Sequence, residues 1–203
     1  MKVIIILLAV ILVAFLATQI FVWREQQNIE TYSYVVNKKY EGFEIRSYEP
    51  ALFSTVKLST KDYKASSSKG FSILAGYIFG ENDRKEMISM TSPVTMSLED
   101  STTMMFMVPK KFEKASLPQP NRSEIEFREE PAKTVAVINF YGWANDEKIE
   151  KYKQKLKSAL DAENIIYING FYFLGYNPPF EVFNRRNEII VELPSKTLDL
   201  IKK

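Results

Sequence analysis

At 203 residues, with 46% apolar and 26% charged side chains, the chain has room for one ordinary domain with a real core plus an appendage, which excludes multidomain machinery and wholesale disorder. Its 27 basic against 25 acidic residues leave a net charge of +2, too small for a global field that would recruit nucleic acid. It contains neither cysteine nor histidine, so disulfides, thiolate and imidazole metal sites, histidine-dependent triads and the usual neutral-pH general base are closed to it.

Val3 to Val22 is an apolar run broken only by Thr18 and Gln19, and at about 1.5 Å per residue it is long enough to cross a hydrocarbon layer of about 30 Å. Residues 1–23 are therefore expected to form a transmembrane signal-anchor. A cleaved leader needs small residues before its cut, whereas Leu12-Val13-Ala14 and Phe15-Leu16-Ala17 both place a large one there. Trp23 and Arg24 suit a membrane boundary. The short tail before the run points to a domain outside the cytoplasm, and residues 24–39, polar and free of glycine, read as a spacer.

From Gly42 to Ser59, apolar and polar positions alternate around Glu49-Pro50, so two strands meeting at a turn are predicted. The second half of Lys61 to Gly80 is helical, with Phe71, Leu74, Ala75 and Ile78 on one face. Thr91 to Leu98 and Thr103 to Val108 return as strands, and Lys110 to Arg122, with Pro118 and Pro120, is a loop. The same order then recurs. Ile125 to Arg128 and Lys133 to Tyr141 read as strands, Asp146 to Glu163 as a helix carrying Ile149, Tyr152, Leu156 and Leu160 on one face, and Phe171 to Tyr176 and Asn187 to Leu193 as strands. Two ββαββ halves imply an α+β domain over 40–195 with a pseudo-twofold axis, followed by a tail at 196–203.

Three stretches resemble the SOUL/haem-binding protein family: Tyr40-Glu41-Gly42-Phe43-Glu44-Ile45-Arg46 through Ala51, then Gly70-Phe71 through Glu81-Asn82 with Met90-Thr91-Ser92-Pro93-Val94, then Tyr176-Asn177-Pro178-Pro179-Phe180 with Arg185-Arg186-Asn187-Glu188. The resemblance implies a twisted eight-stranded sheet or distorted barrel with two helices, similar to bacterial effector-binding domains. It also implies binding of haem or another tetrapyrrole. Ligation through histidine, thought to operate in some members, is impossible here, which leaves tyrosine or methionine as protein ligands.

On the first helix, Lys69, Ile73 and Tyr77 face away from the core stripe, with Gly70 beside them, so the helix carries a second apolar face. A planar macrocycle could lie there with its propionates on Lys69 or Arg84; alternatively, the 110–122 loop or a neighbouring strand covers it. Six methionines between Met87 and Met107 read mainly as core packing. Glu188 opens the last strand, either in an ion pair on a solvated edge or, as the similarity to effector-binding domains implies, as a groove carboxylate for a cationic or polar ligand. Asn121-Arg122-Ser123 fits a glycosylation acceptor.

No phosphate loop, nucleophile elbow or distinguished carboxylate pair appears. The expected function is a membrane-anchored, non-catalytic binding protein for a tetrapyrrole or similar planar hydrophobic ligand. The alternatives are an effector-binding-like sensor or hydrolase using Glu188, and a protein-interaction scaffold.

Overall fold

The structure, a computed structural model, describes residues 2–26, 29–59, 62–99, 102–168, 170–178, 181–182 and 184–198, with side chains for all of these except 17 and 20–26. The leading helix α1 spans Lys2–Gln26. Its described side chains are continuous only to Leu16, and among the described residues no helix is long and apolar enough to cross a membrane.

The domain then runs β1 (Tyr34–Lys39), β2 (Glu44–Tyr48), β3 (Ala51–Lys57), α2 (Tyr63–Ile78), β4 (Val94–Ser97), β5 (Thr103–Met107), β6 (Ile125–Glu130), β7 (Lys133–Tyr141), α3 (Asp146–Ala162), β8 (Phe171–Gly175) and β9 (Arg186–Glu192). The fold is α+β, three helices with one antiparallel sheet of nine strands curled into a half-barrel. The sheet therefore holds nine strands rather than the expected eight. The extra one, β1, falls within the stretch 24–39 read as spacer, where it pairs with β2 from Tyr34↔Tyr48 to Lys39↔Glu44. Its outward side chains are largely exposed, which is why alternation of polar and apolar residues did not reveal it.

Strand order is β1-β2-β7-β9-β8-β4-β5-β3-β6. Exchanging β2 with β6, β3 with β7, β4 with β8 and β5 with β9 reverses the order from β2 to β6 onto itself. The two ββαββ halves are thus related by a pseudo-twofold axis between β4 and β8. Each half lends its first strand to the other: β2 pairs with β7, and β6 with β3. Neither half can complete a sheet alone.

Both domain helices begin on a side-chain cap. Asp62 accepts from the Ala65 amide at 2.7 Å, and Asn145 from the Lys148 amide at 2.8 Å, with Asp146 and Glu147 following in the first turn of α3. Leu74 and Ile78 of α2 and Leu156 and Leu160 of α3 join Ile45, Val56, Ile189 and Val191 in one core. The alternate strand residues Tyr48, Phe53, Met105, Met107, Val135, Val137, Leu174 and Ile190 form a second cluster on the face without helices. The methionines divide the same way: Met96 and Met104 pack toward the helices, Met105 and Met107 away from them, while Met87 is exposed. Of the tail at 196–203, Thr197 is buried and Leu198 rests against the main core, and positions 199–203 lie outside the described residues.

Candidate functional site

The two apolar faces foreseen on α2 are both buried. Ile73 is 5% exposed and Tyr77 1%, and a methyl group at Gly70 would meet Leu58 Cδ1 at 2.9 Å and Met104 Sδ at 3.0 Å, so Gly70 packs closely against the sheet. The 110–122 loop closes over the C-terminal end of the helix, as the covered alternative has it. The Tyr77 hydroxyl donates to Pro118 O at 2.9 Å, the Asp83 amide to Gln119 O at 2.9 Å, and the Gln119 amide to Asp83 Oδ1 at 2.7 Å. Arg84 Nη1 donates to Ser116 O at 3.0 Å. Burial pushes the Tyr77 phenol up to about 12. Among the described residues, no open apolar face remains on α2 for Ile73 and Tyr77 to offer. Lys69 and Arg84 do stay exposed.

Beyond α2 lies an apolar surface that helical periodicity does not encode. Phe79, 55% exposed, forms an isolated antiparallel bridge with Met87, 64% exposed. The turn joining them is organised by buried Asn82, whose Nδ2 donates to Tyr77 O and Glu86 O and whose Oδ1 accepts from the amides of Arg84 and Glu86. This turn carries Arg84 and Lys85, three and two residues before Met87. Lys69 belongs elsewhere, ten residues back along the helix, or roughly 15 Å from Phe79.

Glu188 occupies the helix-free face and is fully buried. Strand β9 lies between β7 and β8, so the solvated edge is not its setting. Arg46 Nη1 donates to both Glu188 oxygens at 3.0 Å, Arg186 Nη2 to Oε1 at 2.5 Å, and the Tyr176 hydroxyl to Oε2 at 2.7 Å. Glu44 pairs with Arg46 from the other side. The guanidinium groups also lie over aromatic rings, Arg46 at 4.1 Å from the Tyr34 centroid and Arg186 at 4.2 Å from that of Tyr176. Burial and the adjacent Glu188 charge push the Tyr48 phenol up to about 12 and the Tyr176 phenol well above its ordinary value. Every acceptor position of Glu188 is committed, so this carboxylate offers nothing free to a cationic ligand or to a water that it would activate. Arg46 had no assigned role in the sequence, although a basic residue on the same strand face as Tyr48, alternating with apolar Ile45, was the available signal.

A cleft of about 410 Å³ opens between the N-terminal ends of α2 and α3, floored by Met96 and Ile149 with Tyr63 and Leu98 at the sides. Glu99, Asp146 and Glu150 line it against one cation, Lys153, a balance that repels a dicarboxylate macrocycle. Among the described residues, no group of three acidic side chains is placed to hold a metal ion.

The profile for SOUL heme-binding protein matches residues 29–192. Heme-binding protein 2 of Mus musculus is 30% identical over 157 residues, covering 73% of this chain and 76% of that protein; the Homo sapiens protein of the same name gives the same figures. Heme-binding protein 1 of Mus musculus is 26% identical over 175 residues, covering 80% of this chain and 92% of its own length. Among solved structures, the C-terminal domain of EcmrR superposes with a TM-score of 0.59 at 12% identity, covering 75% of this chain and 96% of that domain, a likeness of fold alone.

Proposed function

The chain belongs to the SOUL heme-binding protein family, and from that membership we propose that it is a non-catalytic binding protein for a tetrapyrrole or similar planar hydrophobic ligand, held at a membrane through residues 1–23. The observation that carries the reading is the span of the family match, residues 29–192, which takes in every strand and both domain helices. Relatives aligned over 73% and 80% of the chain carry names that describe haem binding.

Exposed Phe79 and Met87 support a surface for such a ligand. A flat macrocycle laid on this pair would remove apolar area from water, and Arg84 and Lys85 would pair with its carboxylates at the rim. Porphyrin chemistry fits these residues. They supply no imidazole or thiolate, and the only soft donor beside the ring would be the Met87 thioether, a weak ligand. Bound haem would bring iron-centred redox and ligand chemistry, whereas the protein groups named here hold and orient the ring. Anchoring is supported by the apolar sequence from Val3 to Val22 and by α1 side chains that remain exposed, among them Val3 at 70% and Ile11 at 60%.

The test is titration of the full-length protein in lipid nanodiscs with haemin and with metal-free protoporphyrin, against empty discs. Saturable binding that weakens in a Phe79→Ser/Met87→Ser variant supports the reading, and no saturable binding of either ligand overturns it. Retention in membranes through a carbonate wash supports the anchor, and release overturns it.

A further inference from the structure

Residues 29–33 connect α1 to β1 and cross the helix-free face without joining the sheet as a strand. Thr31 makes a lone parallel bridge to Ser92. Two backbone bonds hold that crossing, from the Tyr32 amide to Ser92 O at 3.0 Å and from the Ser92 amide to Glu30 O at 3.0 Å. At the margins, Glu30 Oε1 accepts from the Lys110 amide at 2.9 Å and Ser33 O from the Glu49 amide at 3.1 Å.

From this strap Tyr32 turns inward until 6% of it is exposed, its ring centroid 4.5 Å from that of Tyr48 and 5.3 Å from that of Phe53. Its hydroxyl is buried and finds no hydrogen-bond partner among the described residues. Burial, with Glu130 as the next influence, pushes this phenol above its ordinary value, so the group stays neutral. The ring is well housed by two aromatic walls that belong to the sheet. Tethered at Cβ, Tyr32 has to bury its hydroxyl, an unpaired donor that gives up hydration without return, whereas a free phenol can enter ring first and keep its hydroxyl in water at the mouth the strap vacates.

We propose that the slot between Tyr48 and Phe53 is a binding site for a neutral, phenol-like aryl group, and that Tyr32 is its tethered occupant, displaced when such a group enters. Both walls are strand residues, Tyr48 on β2 and Phe53 on β3, so the slot survives departure of the strap. The two backbone bonds at Ser92, the contacts of Glu30 and Ser33 with Lys110 and Glu49, and the Tyr32 ring packing have to open, a local event that leaves the sheet intact. Neutral ligands are favoured by the same environment that keeps Tyr32 protonated; phenolates and carboxylated rings are not. This slot takes a single ring and is independent of the macrocycle surface at Phe79 and Met87.

The probe is p-cresol, the tyrosine side chain cut at Cβ, applied to the full-length protein and its Tyr32→Ala variant in nanodiscs. The variant is expected to bind p-cresol at least about tenfold more tightly than the unmutated protein, with a raised thermal midpoint, because the competing ring is gone. In the unmutated protein, millimolar p-cresol is expected to speed hydrogen exchange at the Tyr32 and Ser92 amides while those of Val137 and Ile189 stay protected. Equal p-cresol affinity in both proteins overturns the proposal. So does unchanged exchange at the Tyr32 amide, a measurement that decides by itself if Tyr32→Ala does not fold.

Discussion

Arg46 on β2 and Glu188 on β9, 142 residues apart, meet across the intervening strand β7, with Arg46 Nη1 3.0 Å from each carboxylate oxygen. Each residue comes from a different half of the pseudo-repeat, so this contact joins the halves on the face where no helix packs. Arg46 is 1% exposed and Glu188 fully buried, and removal from water is costly for both unless each keeps the other.

Removing one partner is therefore expected to be worse than removing both. Glu188→Leu leaves buried Arg46 with Glu44 as its remaining carboxylate partner and should cost about 3–5 kcal/mol, whereas Arg46→Leu/Glu188→Leu should lose clearly less than the sum of the single changes. Chemical denaturation of the three variants measures this. Additive losses would mean that the pair is not coupled as its geometry requires.

Two helix glycines separate close packing from propensity. At Gly70 a methyl group meets Leu58 and Met104, both enclosed in the core, so Gly70→Ala should destabilise by about 1–3 kcal/mol despite its helix preference. At Gly76 it meets the Glu81 carboxylate at 2.7 Å, the end of a flexible, exposed side chain. Gly76→Ala should be neutral or stabilise by up to about 1 kcal/mol. Similar unfolding midpoints for the two variants would refute the distinction.

The repeat order, both domain helices and most strands were legible because alternation and helical spacing survive wherever an element has one buried and one exposed side. Lys133 to Tyr141 was read with the observed limits, and α3 to within one residue. Strand β1 was not legible: it sits at the sheet edge, where Val35 and Val36 face solvent and give no pattern. The α2 site was half legible. A helix with two apolar faces needs something over each, but sequence could not tell a ligand from the Pro118 loop that covers Tyr77. Glu188 was read either as an ion-paired residue on a solvated edge or as a groove carboxylate; it is ion-paired, but its burial and its pairing with Arg46 depend on strand order, which no local pattern carries.

Stability should fall at alkaline pH. Tyr48 and Tyr77, both buried, titrate at about 12 when folded, chiefly through desolvation, against about 10 in an unfolded chain. Below pH 10 both states keep the protons and the contribution is fully present. Between about pH 10 and 12 the unfolded chain gives them up first, so each tyrosine removes up to about 1.4 kcal/mol per pH unit. Urea midpoints measured across that window should fall less steeply for Tyr48→Phe than for the unmutated protein, and identical slopes would show that Tyr48 does not titrate as its burial requires.

Haem recognition, finally, should depend little on iron. With no histidine or cysteine in the chain, the proposed surface would hold a bound ring by apolar contact at Phe79 and Met87 and by carboxylate pairing at Arg84 and Lys85. Affinities for haemin and metal-free protoporphyrin in nanodiscs should then lie within about tenfold, a difference of roughly 1.4 kcal/mol or less. Met87→Leu keeps the apolar contact and removes the sulfur, so it should leave both affinities unchanged. Arg84→Ala should weaken both, and the loss should shrink as salt rises, because the pairing is solvent-exposed. A preference for haemin well beyond tenfold that disappears in Met87→Leu would instead identify the thioether as an iron ligand, and a preference lost on one Tyr→Phe change would identify a tyrosinate.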